Sequence, residues 1–153
     1  MLCTGNLTSN EVTVWLKSLC SDVVCVEGDL DQQGGLPEVA TKEVGGWSIG
    51  VIHGHQVVPW GSRGALADRQ RELGVDLLLH GHSDSFELVN EGGVRLLCPG
   101  SACEGAQSGS GPPSFVVLNV ESPDRIEVYH YQLAGEGAAK PFSHKKIEIL
   151  RST

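Results

Sequence analysis

The sequence lacks three features, and each absence excludes a class of protein. It has no excess of positive charge, since 11 Lys and Arg against 19 Asp and Glu give a formal net charge of −8. This balance argues against non-specific binding to nucleic acid or to anionic lipid. No apolar run approaches the roughly 20 residues that a membrane-spanning helix needs. Any association with a membrane is therefore expected to be indirect, through a partner.

The third missing feature is a disulfide framework. The five cysteines are odd in number, form no Cys-x-x-Cys pair and follow no recognisable signal peptide. This pattern predicts free thiols in a reducing, cytoplasmic compartment. The 153 residues are 40% apolar and 20% charged, which is ordinary for a globular protein. We expect one domain over residues 1–153 with a substantial core.

Two nearly identical stretches, Ile52-His53-Gly54-His55 and Leu79-His80-Gly81-His82, each end an apolar run. Such endings are typical of buried strands that stop at a sheet edge, where ligands of open α/β sheets bind. Histidine also tolerates turns and glycine breaks strands, so either copy alone has an ordinary structural explanation. Two copies together with an acidic Gly-Asp-x-Asp stretch favour a metal site, because imidazole and carboxylate are ligands for Mn, Zn or Fe.

The remaining pattern predicts an α/β sandwich of two sheets, with alternating strands and helices first and mainly strands afterwards. Hydrophobic periodicity predicts a helix over 10–19, whose apolar stripe of Val12, Trp15, Leu16 and Leu19 is expected to face the core. A second helix is predicted over 63–73, between a Ser62 cap and Gly74. Strands are predicted over 2–4, 23–26, 38–44, 47–52, 75–79, 86–89, 94–97, 115–120, 125–132 and 145–150, with a Gly/Ser/Pro-rich loop over 104–113.

Four short motifs carry a family resemblance: Gly5-Asn6, Gly28-Asp29-x-Asp31, His53-Gly54-His55 and Gly81-His82-x-Asp84. In order and spacing they resemble the later blocks of the calcineurin-like metallophosphoesterases. The run from 52 to 61 further resembles a branch of that family formed by small, non-catalytic subunits of retromer, an endosomal sorting complex. The resemblance covers essentially the whole chain and implies a two-sheet α/β/β/α sandwich of the metallophosphoesterase type.

The resemblance also implies a metal site. One divalent ion, Mn or Zn, would be held by Asn6, Asp29, His53 and His82, with Asp84 as an untypical further ligand. We expect at most one well-held ion. His55 and His80 do not carry over as family ligands, and we expect them to be structural or to support the ligands.

Departures from the family pattern weaken catalysis. Leu30 stands where active relatives carry a His or Cys that protonates the leaving group, and leucine cannot act as a general acid. Asn6 replaces the bridging Asp of many enzymes, and Asp84 replaces a second His. The family's first block, an Asp-x-His, has no counterpart. It would lie upstream of Met1 in a βα unit, so we expect an N-terminally incomplete domain without its first strand and helix.

Three functions remain open at this point. By resemblance, the chain would be a scaffold that binds the α-solenoid subunit of retromer at endosomal membranes, using the apolar loop Val57, Val58, Pro59 and Trp60. Contiguous exposed apolar residues often mark partner sites, although Trp60 could instead pack beneath its own loop. A second apolar surface that includes Val117 and Tyr131 would take regulatory proteins. The alternatives are a metal-dependent phosphodiesterase and a non-functional fragment.

Overall fold

A computed structural model describes residues 1–32, 34–103, 111–135 and 141–151. Residues 104–110 of the loop expected over 104–113 lie outside these ranges. The described elements, in chain order, are β1 (Leu2–Cys3), α1 (Asn10–Leu19), β2 (Val24–Cys25), β3 (Val39–Val44), β4 (Trp47–Ile52), α2 (Arg63–Leu73), β5 (Leu77–Leu79), β6 (Phe86–Glu91), β7 (Val94–Pro99), β8 (Ser114–Ser122), β9 (Arg125–Leu133) and β10 (Phe142–Leu150). The mixed α/β class and both predicted helices are confirmed.

The described strands form three hydrogen-bonded sheets, one more than the sequence predicted. Five strands lie in the order β3-β4-β5-β7-β6, and β10-β9-β8 form an antiparallel sheet. In the larger sheet the central strands β4, β5 and β7 are parallel. The edge strand β3 pairs antiparallel with β4, and the edge strand β6 pairs antiparallel with β7. Strands β1 and β2 pair with each other in parallel and make up the third sheet. The predicted hairpin around Gly45-Gly46 is confirmed.

The main core lies between the five-stranded and three-stranded sheets. Its fully buried side chains include Trp47 and Ile49 on β4, Leu77 on β5, and Ile126 and Val128 on β9. Their spacing of two residues along β4 and β9 follows from the pleat, which sends alternate side chains to the same face. Each such side chain contributes about 1.5–3 kcal/mol through burial. A second cluster packs α2 against the other face of the larger sheet.

The two helices differ in how they use their apolar residues. Helix α2 has the predicted bounds because Ser62 accepts a hydrogen bond from the Ala65 amide and Gly74 ends the helix at φ 64°. Helix α1 also has its predicted bounds, with Ser9 as N-cap. The prediction that its apolar stripe faces the core is wrong, since none of its ten residues is buried and Trp15 and Leu19 are 58% and 59% exposed.

All five cysteines are free thiols, as predicted. No helix within the described ranges is both long and apolar enough to cross a bilayer.

Candidate metal centre

Four loops meet where β1, β2, β4 and β5 end, and the candidate ligands lie on them. The Gly81 amide donates to the His53 carbonyl at 2.7 Å, which joins the two His-Gly-His stretches. The loops after β1 and β2 approach so closely that a Cβ on Gly28 would lie 2.0 Å from Asn6 Oδ1. Any side chain at position 28 would therefore clash with Asn6, so glycine is required there. This close approach brings the two loops into one site.

Asp29, His53 and His82 form a cluster whose ligand atoms all lie within 4.8 Å of one another. His53 Nε2 lies 2.9 Å from Asp29 Oδ1, and His82 Nδ1 lies 3.6 Å from the same oxygen. The His53 side chain is only 4% exposed, whereas that of Asp29 is 37% exposed. The cluster is thus anchored in the protein on one side and open to solvent on the other.

The hydrogen bonds of His53 test whether a cation fits the cluster. Its Nδ1 lies 2.6 Å from the Thr4 carbonyl oxygen, which can only accept, so Nδ1 carries a hydrogen. The other ring nitrogen then faces a carboxylate oxygen of Asp29, which is also an acceptor. This contact is favourable only when a cation, either a proton or a metal ion, is shared between the two atoms. Two imidazoles and one carboxylate are a donor set suited to Zn or Mn.

Asn6 contacts the cluster through its amide group. Its Nδ2 donates to Asp29 Oδ1 at 3.2 Å, and its Oδ1 accepts from the Leu30 amide at 3.0 Å. Burial alone would raise the pKa of Asp29, but the Asn6 hydrogen bond and the nearby His53 and His82 outweigh it and lower the pKa. Asp29 is therefore held as the anion that a divalent metal requires.

Asp31 has a structural role that the sequence did not reveal. Its Oδ2 accepts from the amides of Asn6 and Gly28 at 2.7 and 2.8 Å, and its Oδ1 accepts from the Thr8 amide at 2.7 Å. Asn6 and Thr8 both have a φ of 58°, a backbone conformation that residues other than glycine rarely adopt. The Asp31 carboxylate thus holds the loop after β1 against the loop after β2.

Three further polar residues of these loops, His55, His80 and Asp84, do not belong to the cluster formed by the described residues. The His55 ring centroid is 5.3 Å from that of His53, and its Nδ1 is buried without a hydrogen bond from any described residue. His80 is 3% exposed, and burial lowers its pKa. Asp84 is not a member of the cluster formed by the described residues. Its role as a ligand stays a prediction, as do the supporting roles of His55 and His80.

The loop after His55 exposes most of the apolar residues that we expected to meet a partner. Val58 and Trp60 are 74% and 66% exposed, and Pro59 is also exposed. The alternative that Trp60 packs beneath its own loop does not fit this exposure. Trp60 is nevertheless held in place, since its Nε1 donates to the His55 carbonyl at 3.0 Å and its ring lies 4.8 Å from the His82 ring. Val57 is only 9% exposed and packs with Leu66 of α2, so it anchors the loop, and a contact by Val57 itself stays a prediction.

The second apolar surface lies on the outer face of the three-stranded sheet. Val117 is 46% exposed, and Tyr131 stacks on Phe115 with ring centroids 5.1 Å apart. Phe115 and Phe142 belong to the same exposed surface, with ring centroids 6.3 Å apart. Neither phenylalanine was among the residues predicted for this surface. The alternation of β8, which puts residues 115 and 117 on one face, is the signal that could have identified Phe115.

Comparison with known proteins agrees with this geometry. The sequence model of the calcineurin-like phosphoesterase superfamily domain matches residues 1–123. Vacuolar protein sorting-associated protein 29 of Schizosaccharomyces pombe is 34% identical over 155 residues, which cover 97% of this chain and 82% of the yeast protein. The fold and the site thus define a protein of the calcineurin-like phosphoesterase class.

Solved structures give the narrower assignment. Wild-type Vps29 of Entamoeba histolytica complexed with Zn²⁺ is 38% identical, with a TM-score of 0.85 over 96% of this chain and 80% of that chain. Vps29 of Chaetomium thermophilum complexed with a cyclic peptide is 26% identical, with a TM-score of 0.82 over 99% of this chain and 80% of that chain. The chain belongs to the Vps29 family within the calcineurin-like phosphoesterase superfamily.

Proposed function

We propose that this chain is a non-catalytic scaffold subunit of retromer that binds the α-solenoid subunit, vacuolar protein sorting-associated protein 35. In this role it supports protein sorting from endosomes to the Golgi and the plasma membrane. It works in the cytoplasm and reaches the endosomal membrane through the complex. The observation that carries the proposal is the exposed apolar loop of Val58, Pro59 and Trp60, which follows directly on the candidate metal centre.

The loop is built for recognition because it is exposed and yet fixed. Val57 packs in the core beneath it, and Trp60 is hydrogen-bonded to the His55 carbonyl. A loop held in one conformation loses less entropy on binding than a mobile one. Tryptophan is also enriched among the residues that dominate interface energies. Trp60 and Val58 are therefore the expected anchors of the contact.

A single Zn or Mn ion fits the same part of the molecule. Asp29, His53 and His82 would hold it, and Asn6 would orient Asp29 through its amide hydrogen bond. When bound, the ion would supply positive charge that links three loops at the sheet edge. The Zn²⁺ complex of the Entamoeba histolytica relative supports this assignment. Asp84 would at most be an additional ligand.

The chain is proposed to lack catalytic activity because the position of the general acid is occupied by Leu30. This side chain is 64% exposed and carries no proton to donate. The same loop therefore keeps the ligand Asp29 without the group that would protonate a leaving alcohol. The metal would then serve to order the sheet edge from which the partner loop leaves.

The outer face of the three-stranded sheet is proposed to take regulatory proteins. Val117, Tyr131 and Phe115 form an exposed apolar surface there. The cyclic peptide complex of the Chaetomium thermophilum relative supports peptide binding within the family. This surface and the Val58 loop lie on different elements, so one can be changed without the other.

A charged substitution in the loop tests the scaffold proposal. Val58→Asp is expected to weaken binding to the purified α-solenoid subunit about 30-fold or more, the size of effect seen at interface anchors, because a carboxylate would be buried without a partner. Calorimetric titration measures this, with Val117→Asp as the control, the same change at an exposed valine on the three-stranded sheet. Wild-type affinity for Val58→Asp would overturn the proposal. Weaker binding by both variants would mean that the contact surface extends beyond the loop to the three-stranded sheet.

A further inference from the structure

A groove of about 390 Å³ lies between α2 and the β3–β4 hairpin, and Val58 contributes to its wall. Its apolar lining includes Val39 of β3 and Ala65 of α2, which are both partly exposed. The buried side chains of Ile52 and Val57 complete the floor. Because Val58 belongs to both, the groove continues the surface of the proposed partner loop.

The polar lining of the groove is predominantly acidic. It carries three carboxylates, from Glu38, Asp68 and Glu72, against one guanidinium, from Arg69. Arg69 Nη1 pairs with Glu72 at 3.0 Å, and Asp68 pairs with Arg71 on the exposed side of α2. Such exposed pairs three residues apart contribute only about 0–1 kcal/mol. A cation from a partner can therefore compete for these carboxylates.

Glu38 is the least compensated of the three acids. It forms no ion pair with any residue in the described ranges. The hydrogen bond that Gln56 Nε2 donates to it, at 3.3 Å, goes to its backbone carbonyl oxygen. It lies next to β3, across the groove from Asp68 and Glu72 on α2. A basic side chain entering between the hairpin and α2 would thus meet acidic groups on both sides. The protein as a whole carries a net charge of −8, which favours a positively charged partner surface.

We propose that this acidic groove binds a helix of the α-solenoid subunit that carries Lys or Arg beside apolar residues. The apolar side of the helix packs on Val58, Val39 and Ala65, and its cations pair with Glu38 and Asp68. This inference rests on the proposed function and adds the chemistry of the partner segment. The Val58 loop gives the contact its apolar anchor, while the groove fixes the register of the partner and steers its approach.

Charge reversal in the groove tests this inference. The double variant Glu38→Lys/Asp68→Lys is expected to bind the full α-solenoid subunit about tenfold more weakly at low salt, mainly through slower association, because interfacial charges act chiefly on encounter. The salt dependence of its affinity should also be shallower than that of wild type. Surface-immobilised kinetics at two salt concentrations measures both quantities. Glu38→Gln/Asp68→Asn should lie between the two, since it removes charge without adding any.

The matched control is Glu43→Lys/Glu91→Lys, which makes the same change in net charge at two exposed positions away from the groove. It should bind within about threefold of wild type if local charges dominate. If both double variants weaken binding equally, the effect comes from net charge and the groove proposal is overturned. If Val58→Asp abolishes binding while the groove variant matches wild type, the scaffold function stands and the groove proposal is wrong. Thermal melting of each variant checks that it is folded.

Discussion

At the scale of single residues, two neighbouring carboxylates have different roles. Asp29 points its Oδ1 toward two imidazoles, whereas both oxygens of Asp31 are taken up by backbone amides. Family resemblance predicted Asp29 as a metal ligand, because a motif carries the identity of a ligand position, and the structure places Asp29 in the cluster with His53 and His82. It could not assign Asp31, since its role depends on the positive φ of Asn6 and Thr8, which lie 25 and 23 residues away in the chain.

Asp31→Asn is expected to lower the free energy of unfolding by about 2 kcal/mol, because an amide nitrogen would face backbone donors and charge-assisted hydrogen bonds would be lost. It should also weaken Zn²⁺ binding about tenfold, since residues that orient metal ligands have effects of this size. Calorimetric titration with Zn²⁺ and urea denaturation measure the two effects. His53→Ala should show no specific Zn²⁺ binding.

The control for this substitution is Asp124→Asn, the same change at an exposed aspartate far along the chain. It should match wild type in both measurements. If wild type, Asp31→Asn and His53→Ala bind Zn²⁺ with equal affinity, the proposed metal site is wrong. Normal affinity in Asp31→Asn alone would mean that the loops hold their positions without this carboxylate.

At the scale of elements, a polar cluster connects the three strands of the smaller sheet. Glu127 on β9 accepts hydrogen bonds from Lys146 on β10, Asn119 on β8 and its neighbour Tyr129. The hydrogen bond from Lys146 is the main reason that the pKa of Glu127 falls from 4.5 to about 2, followed by those from Asn119 and Tyr129. One ionised carboxylate therefore links all three strands of this sheet.

Removing this charge should make stability less dependent on pH. Because the folded pKa of Glu127 is lowered, its contribution is present in full above about pH 4.5 and is lost as pH falls toward 2. Glu127→Gln is therefore expected to be less stable than wild type near neutral pH and to approach wild type near pH 2. Denaturant unfolding across this range measures the difference, with Glu91→Gln as an exposed control. A difference that is constant with pH would contradict the prediction.

The helices show which part of the fold the sequence could predict. Local signals fixed the bounds of α2, since Ser62 and Gly74 act on their own backbone neighbours. The periodicity of α1 also gave its bounds, but periodicity states only that one face is apolar. Whether another element covers that face depends on distant parts of the chain, and Trp15 is in fact largely exposed. The burial of Val57 in a loop was missed for the same reason, because α2 covers it.

At the scale of the whole molecule, the phosphoesterase fold still brings the candidate ligands together at one sheet edge. Close packing of Gly28 against Asn6 and the hydrogen bond from His53 to Thr4 still bring the ligand loops together. The same edge adjoins exposed Val58 and Trp60. Sequence motifs could predict the candidate ligands, but the exposed surface beside them depends on how the chain folds.

The whole chain is expected to hydrolyse bis-p-nitrophenyl phosphate with added Mn²⁺ no faster than its His82→Ala variant. General acid catalysis contributes about 10²–10⁴-fold to such reactions, and Leu30 cannot provide it. A two-metal mechanism requires ligands for both ions, whereas the cluster of described residues offers one carboxylate and two imidazoles. Single-turnover and steady-state absorbance assays over a range of Mn²⁺ concentrations measure the rate. Turnover that His82→Ala abolishes would restore the phosphodiesterase alternative and make the exposed loop a part of its substrate site.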